Sequence, residues 1–278
     1  MKLALIATIW KRPELTKIVL DYYKQFDLVL ICVGSEGKES KKLAKGWHYI
    51  EYPNNPVSDK HNQALLKAKE LNVDGVILIG SDDIMSKELF EFYQTLTPNE
   101  TFVHGFVDGH IYDTNTNKIH YLERHLDAQT VGTGRFFSKY ILEKCNWKLW
   151  SDGLNKGLDT NCTNNLKKLC IFEKKYRLSD INGFFVDIKH TENITPMEIF
   201  KDLPTINKNI MAKKIGKKVV EEIEALPKPI EKEVVVFDKN KMYNFVSNGK
   251  AKTLPAGTYE IGGEMATQFT ALGYGVVN

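Results

Sequence analysis

Short apolar runs alternate with amphipathic stretches along the first hundred residues of the chain. The apolar runs predict strands at residues 3–10, 27–34, 47–52 and 75–80. Apolar side chains at helical spacing predict helices at residues 14–25, 58–72 and 86–96. The resulting order, β-α-β-β-α-β-α, is typical of an α/β protein with a mainly parallel sheet and helices packed on its faces.

The pattern changes after residue 100. Residues 101–112 and 118–122 predict a hairpin around the turn sequence DTNTN. A helix is predicted to start near Ser138, and another follows the loop that begins at Trp150. Residues 183–190 predict a further strand, and residues 207–226 predict one long helix.

The last fifty residues differ in character from the rest. Residues 227–233, with the sequence PKPIEKE, are rich in proline and charge and predict a linker. Residues 234–278 carry the short β-like pieces VVVFD, YNFVSN and TYEIGG, followed by MATQFTALGYGVV. We therefore expect one large domain at 1–226 and a small C-terminal β-rich module at 234–278, in keeping with about two domains for this length.

Composition and charge exclude several classes of protein. Hydrophobic residues make up 42% of the 278 residues and the net charge is only +3, which suits a globular protein and gives nucleic-acid binding no support. No apolar run approaches the roughly 20 residues of a membrane helix. The four cysteines lack metal-ligand spacing, and we interpret them as reduced thiols of a soluble, cytoplasmic protein.

Two adjacent carboxylates follow the fourth predicted strand, in the sequence Gly80-Ser81-Asp82-Asp83. In open α/β sheets, ligands bind outside the carboxyl ends of the strands. Paired carboxylates at that place are suited to a hard divalent cation, Mg²⁺ or Mn²⁺, that bridges phosphate oxygens. The alternative is that these aspartates cap the helix that follows.

The order of these motifs resembles the nucleotide-sugar half of family 2 glycosyltransferases, which have the GT-A fold, and especially short bacteriophage-encoded forms. The resemblance covers roughly residues 1–200 and is carried by WKRPELT after the first strand, KHNQALLKAKE, and VILIGSDD. Gly80 stands where the family has the first acidic residue of its DxD-like motif. The resemblance implies a metal held by Asp82 and Asp83 and a nucleotide-sugar donor, with a UDP-sugar expected.

The same resemblance implies further site residues. It places the nucleotide against the loop of Arg12 and against Lys60 and Asn62 at a helix start, where anions bind readily. Ser81 and Gly134, the latter within Gly132-Thr133-Gly134-Arg135, are also assigned to donor binding. A plain turn or surface role is the alternative for each.

The resemblance also implies a catalytic base and a late metal ligand. Inverting enzymes of this kind need a carboxylate that removes the proton of the acceptor hydroxyl. Asp159, at a loop-to-helix junction, is the first choice and Asp152 the second. His190 is a candidate third metal ligand, with Asp187 as the alternative.

Three functions follow as hypotheses. The main one is metal-dependent sugar transfer from a nucleotide diphosphate to a hydroxyl of a glycan, a protein or modified DNA. The second is a nucleotidyltransferase, which would normally show a glycine-rich phosphate loop after the first strand, whereas this chain has TIWKRPELT there. The third is a phage virion-associated protein with a degenerate transferase domain, tethered through the C-terminal module. A phage origin would place the protein in the host cytoplasm or on the virion.

Overall fold

The structure is a computed structural model that describes residues 1–190 and 197–227 with their side chains. Beyond residue 227 it describes only the backbone of four strands. The chain divides into two compact units, Met1–Pro227 and Lys228–Asn278. Residues 228–232, within the predicted linker, lie outside the described part.

The first unit contains twelve strands and eight α-helices in its described residues. The strands are β1 (Leu3–Thr8), β2 (Val29–Gly34), β3 (His48–Glu51), β4 (Gly75–Ile79), β5 (Asp83–Met85), β6 (Val103–Phe106), β7 (Asp108–Asp113), β8 (Lys118–Glu123), β9 (Phe136–Ser138), β10 (Glu173–Tyr176), β11 (Phe185–Lys189) and β12 (Thr205–Ile206). The helices are α1 (Pro13–Tyr23), α2 (Lys38–Leu43), α3 (Val57–Glu70), α4 (Lys87–Gln94), α5 (Lys139–Lys144), α6 (Leu158–Lys168), α7 (Asn209–Ile215) and α8 (Lys217–Glu224).

Seven strands form a large, mainly parallel sheet in the order β10-β6-β9-β4-β1-β2-β3. Strand β1 runs parallel to both β2 and β4, and β2 runs parallel to β3. Strand β9 is antiparallel to its neighbours β4 and β6. The predicted α/β class, a mainly parallel sheet with flanking helices, is confirmed.

Strand β1 shows that the large sheet is covered on both faces. Its side chains alternate between two buried clusters, with Leu5 and Ala7 in one and Ala4 and Ile6 in the other. Successive side chains of a strand point to opposite faces, so a strand buried on both sides is apolar throughout. The continuous apolar run at the start of the chain is the sequence mark of this central position.

A second sheet of five strands has the order β12-β8-β7-β11-β5. The predicted hairpin exists as the antiparallel pair β7–β8. The single strand predicted at residues 101–112 is wrong, because the chain passes from the large sheet to the second sheet between β6 and β7. Val107 at this crossing is fully buried, so the apolar run continues although the strand does not.

The single helix predicted at residues 207–226 is also wrong. Helices α7 and α8 are separated by Gly216, whose backbone φ is 95°. A positive φ interrupts a right-handed helix, and glycine adopts it without steric cost. The apolar spacing continues across the break, which is why periodicity alone predicts one helix.

In the second unit, the four described strands form two antiparallel pairs. Strand β13 (Glu233–Val236) pairs with β16 (Thr258–Ile261), and β14 (Tyr243–Ser247) pairs with β15 (Lys250–Leu254). Strands β13, β14 and β16 overlap the three β-like pieces of the sequence, while residues 262–278 lie outside the described part. The domain division at residues 226 and 234 stays a prediction.

Two expectations from composition concern the described residues directly. All four cysteines are free, with Cys32 and Cys162 buried. Among the residues described, none of the helices has the length and apolar character needed to cross a membrane.

Candidate functional site

Three aspartates from two parts of the fold lie together at the carboxyl end of β4. Asp82, Asp83 and Asp187 each offer one oxygen atom, and these atoms lie within 4.8 Å of one another. Asp82 follows β4, Asp83 begins β5, and Asp187 lies on β11 directly opposite Asp83 in the antiparallel register. The fold therefore builds an acidic centre at the edge where α/β sheets bind ligands.

Asp83 is the most deeply held of the three carboxylates. Its Oδ2 accepts hydrogen bonds from the Gly80 amide at 2.6 Å and from the Thr133 hydroxyl at 2.8 Å. Burial raises the pKa of Asp83 well above its usual value, and the neighbouring Asp187 and Asp82 raise it further. Such a carboxylate favours either a proton or a cation.

The strand that carries Asp83 is hydrogen-bonded to α1 through the hydroxyl groups of Tyr22 and Tyr23. Tyr23 donates to the Asp83 carbonyl at 3.0 Å, and the same hydroxyl accepts from the Met85 amide at 2.9 Å. Ser86, and neither Asp82 nor Asp83, occupies the N-cap position of α4. The helix-cap alternative for the paired aspartates is therefore wrong.

Asp187 completes the acidic centre and has an unused oxygen. Its Oδ2 forms an ion pair with Lys189 Nζ at 2.7 Å, whereas its Oδ1 is buried with no hydrogen-bond partner. Burial and the nearby Asp82 raise the pKa of Asp187 to about 6. A buried carboxylate oxygen without a partner, among hard oxygen donors, fits Mg²⁺ or Mn²⁺.

Arg12 lies on the other side of the centre. Its Nη1 donates to Asp82 Oδ2 at 2.8 Å and its Nη2 donates to Ser81 Oγ at 2.8 Å. The adjacent strands β1 and β4 end side by side, with Ala7 opposite Ile79, and this brings the two loops together. The predicted donor residues Arg12 and Ser81 are thus both at the acidic centre.

Lys60 and Asn62 are turned towards the protein interior. Lys60 Nζ donates to the Ile9 carbonyl at 2.6 Å and to Asn54 Oδ1 at 2.9 Å, and burial lowers the pKa of Lys60 to about 8. Asn62 Nδ2 donates to the Trp150 carbonyl at 2.9 Å. Both side chains are hydrogen-bonded to neighbouring loops, and their direct contact with a nucleotide stays a prediction.

His190, the predicted late metal ligand, is outside the group of three aspartates. Its Nδ1 lies 3.2 Å from the Thr114 hydroxyl, which also donates to the Lys189 carbonyl. Burial lowers the pKa of His190, and the charge of nearby Arg12 lowers it further. Asp187, the alternative to His190 in the sequence analysis, is the residue that the fold brings to Asp82 and Asp83.

Asp159 lies in the first turn of α6, close to the loop that reaches the acidic centre. Its Oδ1 is 3.9 Å from Nη1 of the buried Arg135, and 59% of its side chain is exposed. Gly157, and not Asp159, holds the N-cap position of α6. Thr133, the neighbour of Gly134 in the predicted binding segment, connects this loop to Asp83.

Asp152 and Gly134 have clear structural surroundings. Asp152 forms an exposed ion pair with Lys148 at 2.6 Å and lines a shallow cavity of about 510 Å³ with Lys144 and Asn165. Gly134 has a φ of +75°, and a side chain there would meet the Tyr93 hydroxyl at 3.0 Å. The positive φ and the nearby Tyr93 hydroxyl explain why glycine occupies position 134 in this loop, while its contact with a ligand stays a prediction.

Comparisons with known proteins return structural neighbours only. No protein-family model matches the sequence, and no curated protein is significantly similar to it. The inositol-1-phosphate CTP transferase from T. maritima is 12% identical over 81% of this chain and 97% of that chain, with a TM-score of 0.46. A cytidylyltransferase from Leptospira borgpetersenii is 12% identical over 81% and 94%, with a TM-score of 0.41.

A third neighbour is CMP:2-keto-3-deoxy-manno-octonic acid synthetase, 10% identical over 80% of this chain and all of that chain, with a TM-score of 0.39. These names correspond to the nucleotidyltransferase hypothesis more closely than to the glycosyltransferase hypothesis. At this degree of similarity they describe those proteins and not this chain. Nothing in the comparisons points to a phage or a virion.

Proposed function

We propose that the chain is a divalent-cation-dependent transferase that acts on a nucleotide-phosphate substrate. The observation that carries this proposal is the acidic centre of Asp82, Asp83 and Asp187 at the carboxyl end of β4. A bound cation supplies positive charge that stabilises the negative charge of a departing phosphate. Arg12, whose planar fork matches phosphate oxygens, binds the same part of the substrate.

Glycosyl transfer is the first of two chemistries that this site supports. In this reaction the acceptor oxygen bonds to the sugar carbon, the bond from that carbon to the diphosphate breaks, and the nucleoside diphosphate leaves. Asp159 takes the proton of the acceptor hydroxyl. Its position beside the loop that contacts Asp83, together with its exposure, supports this role.

Nucleotidyl transfer is the second chemistry, and one observation favours it. The absence of glycine after β1 counts against a tight phosphate loop, yet Lys11 and Arg12 have φ values of 57° and 51° there. These are left-handed conformations that glycine usually supplies. In this reaction a phosphate oxygen of the second substrate attacks the α-phosphorus of a nucleoside triphosphate, and pyrophosphate leaves.

The products distinguish the two chemistries. The full chain with Mn²⁺ is incubated either with UDP-sugars and hydroxyl acceptors or with nucleoside triphosphates and sugar 1-phosphates. Release of nucleoside diphosphate supports glycosyl transfer, and release of pyrophosphate supports nucleotidyl transfer. Either activity must disappear in the variants Asp82→Ala and Asp83→Ala.

Binding provides the matching negative test. A nucleotide that binds the folded chain raises its apparent thermal stability. If nucleotides at millimolar concentration, with or without Mn²⁺, leave the melting temperature unchanged and no product forms, the proposed function is wrong. The acceptor and any virion partner stay predictions.

A further inference from the structure

Arg12 already provides Asp82 with a counter-charge within the chain. The Nη1–Oδ2 ion pair measures 2.8 Å, and only 11% of the Arg12 side chain and 17% of the Asp82 side chain are exposed. Ion pairs in such partly buried places are screened by solvent less than surface pairs. A cation approaching Asp82 therefore meets a carboxylate that is already neutralised.

The guanidinium group of Arg12 is incompletely used in this arrangement. Its Nε is buried and has no hydrogen-bond partner. A buried donor without a partner costs free energy that a better acceptor would recover. The present contact of Arg12 is thus favourable in charge but leaves a donor available for a ligand with more acceptor oxygens, such as a phosphate.

The two counter-charges of the acidic centre differ in where they are attached. Lys189, the partner of Asp187, lies on β11 with only 6% of its side chain exposed. Arg12 lies on the loop between β1 and α1, whose backbone is fixed by the hydrogen bonds Thr16 N to Arg12 O and Lys11 N to Glu36 Oε2. Arg12 can therefore move its side chain while the loop stays in place.

We infer that Arg12 competes with the divalent cation for Asp82 and, when displaced, contacts the phosphate of the substrate. This inference rests on the proposed function and adds a regulatory role for Arg12 within the same site. Cation and nucleotide should strengthen each other's binding through Arg12, because coupling between two ligands is reciprocal. An arginine that only binds phosphate would not produce this coupling.

The first test measures Mn²⁺ binding to the full chain without nucleotide, from the electron paramagnetic resonance signal of free Mn²⁺. Arg12→Gln, which removes the competing charge, is expected to bind Mn²⁺ about tenfold more tightly than the wild-type protein, a change that corresponds to about 1.4 kcal/mol. Arg12→Lys, which keeps the charge but not the fork, should lie between them. Lys11→Gln is the matched control, because it removes the same charge from the neighbouring residue, whose Nζ lies over the Trp10 ring.

The outcomes separate this inference from the proposed function. Equal or weaker Mn²⁺ binding by Arg12→Gln overturns the inference. If the wild-type protein binds Mn²⁺ and Asp83→Asn does not, the proposal of a cation centre still stands. A gain in Lys11→Gln as large as in Arg12→Gln also overturns it, because the effect would then be general electrostatics. Absence of Mn²⁺ binding in every form contradicts both.

The second test measures UDP binding by calorimetry with and without Mn²⁺. In the wild-type protein, Mn²⁺ should tighten UDP binding about tenfold, within the usual range of coupling energies. In Arg12→Gln this enhancement should fall to the part that comes from direct contact between Mn²⁺ and the diphosphate. Full enhancement in Arg12→Gln would contradict a role for Arg12 in the coupling.

Discussion

The carboxylate of Asp159 occupies the space above Gly132 that a side chain at position 132 would fill. A methyl group on Gly132 would lie 2.6 Å from Asp159 Oδ1, closer than carbon and oxygen approach in folded proteins. The next residue, Thr133, donates its hydroxyl to Asp83. The short segment 132–133 thus has the candidate base on one side and the acidic centre on the other.

Gly132→Ala should displace Asp159 without altering the residue itself. The backbone at Gly132 is not in the left-handed region, and the atoms that must move are at the exposed end of a side chain, so we expect a loss of stability below about 1 kcal/mol. If Asp159 is the base, the turnover number should fall tenfold or more, in proportion to about 1.4 kcal/mol of lost transition-state stabilisation, with little change in KM for the donor.

The comparison for this substitution is Asp152→Asn, which alters the second candidate for the base. Asp152 is exposed and pairs only with Lys148 among the ion pairs described. If Asp159 is the base, the turnover number of Asp152→Asn should stay close to the wild-type value. An unchanged turnover number in Gly132→Ala, together with full activity of Asp159→Asn, would exclude Asp159 as the base.

Asp83→Asn should separate stability from cation binding. Burial and two neighbouring carboxylates raise the pKa of Asp83, so the charged form is unfavourable in the folded protein. Asparagine keeps an oxygen that accepts from the Gly80 amide and the Thr133 hydroxyl. We expect an unfolding free energy in urea at neutral pH that equals or exceeds the wild-type value, whereas Mn²⁺ no longer raises the melting temperature. A loss of several kcal/mol would show that the charge of Asp83 stabilises the fold.

Lys60 should make the stability depend on pH in the alkaline range. Its pKa is about 8 in the folded protein against 10.5 for an exposed lysine, because burial disfavours the charged amine. Between these two values the unfolded chain binds more protons than the folded chain, so the unfolding free energy rises with pH. Below pH 8 both states are protonated, and the cost of burying the charge is fully present.

The measurement for Lys60 is urea unfolding at intervals from pH 7.5 to pH 10.5, with Lys60→Met for comparison. As pH rises, the unfolding free energy of the wild-type protein should increase relative to that of Lys60→Met. A constant difference across the range would mean that the amine keeps an ordinary pKa.

Lys11→Gly should stabilise the protein. Lys11 has a φ of 57°, a left-handed conformation that costs a residue with a side chain about 1–2 kcal/mol, part of which glycine returns as extra freedom of the unfolded chain. A net gain of about 0.5–1 kcal/mol in thermal or urea unfolding is expected. Lys41→Gly, within helix α2, is the opposite control and should lose about 1 kcal/mol.

The fold follows from the sequence where local pattern and tertiary position agree. Strands β1, β2 and β4 are buried on both faces, so their apolar runs mark them within a few residues. The boundary between β6 and β7 and the break at Gly216 could not be found in this way. Both depend on where the chain crosses between packed layers, and the apolar pattern continues through both.

The candidate site shows the same limit in more detail. Asp82 and Asp83 can be found because they directly follow a strand, at the edge where ligands bind. Asp187 joins them through the register between β5 and β11, and that register is a property of the folded sheet. Lys60 has the charge expected of a phosphate ligand, but its amine is held by Ile9 and Asn54, a contact that no sequence motif encodes.

Asp82 follows the large sheet and Asp187 belongs to the second sheet, so a metal ion held by both would fasten the two sheets to each other. Local opening of β5 and β11 would then require release of the ion first. Amide hydrogen exchange in these two strands should slow when Mn²⁺ is added, whereas the exchange rate in β12, at the far edge of the second sheet, should not change. The ion would connect the two sheets reversibly, and its concentration would set how stable β5 and β11 are against local opening.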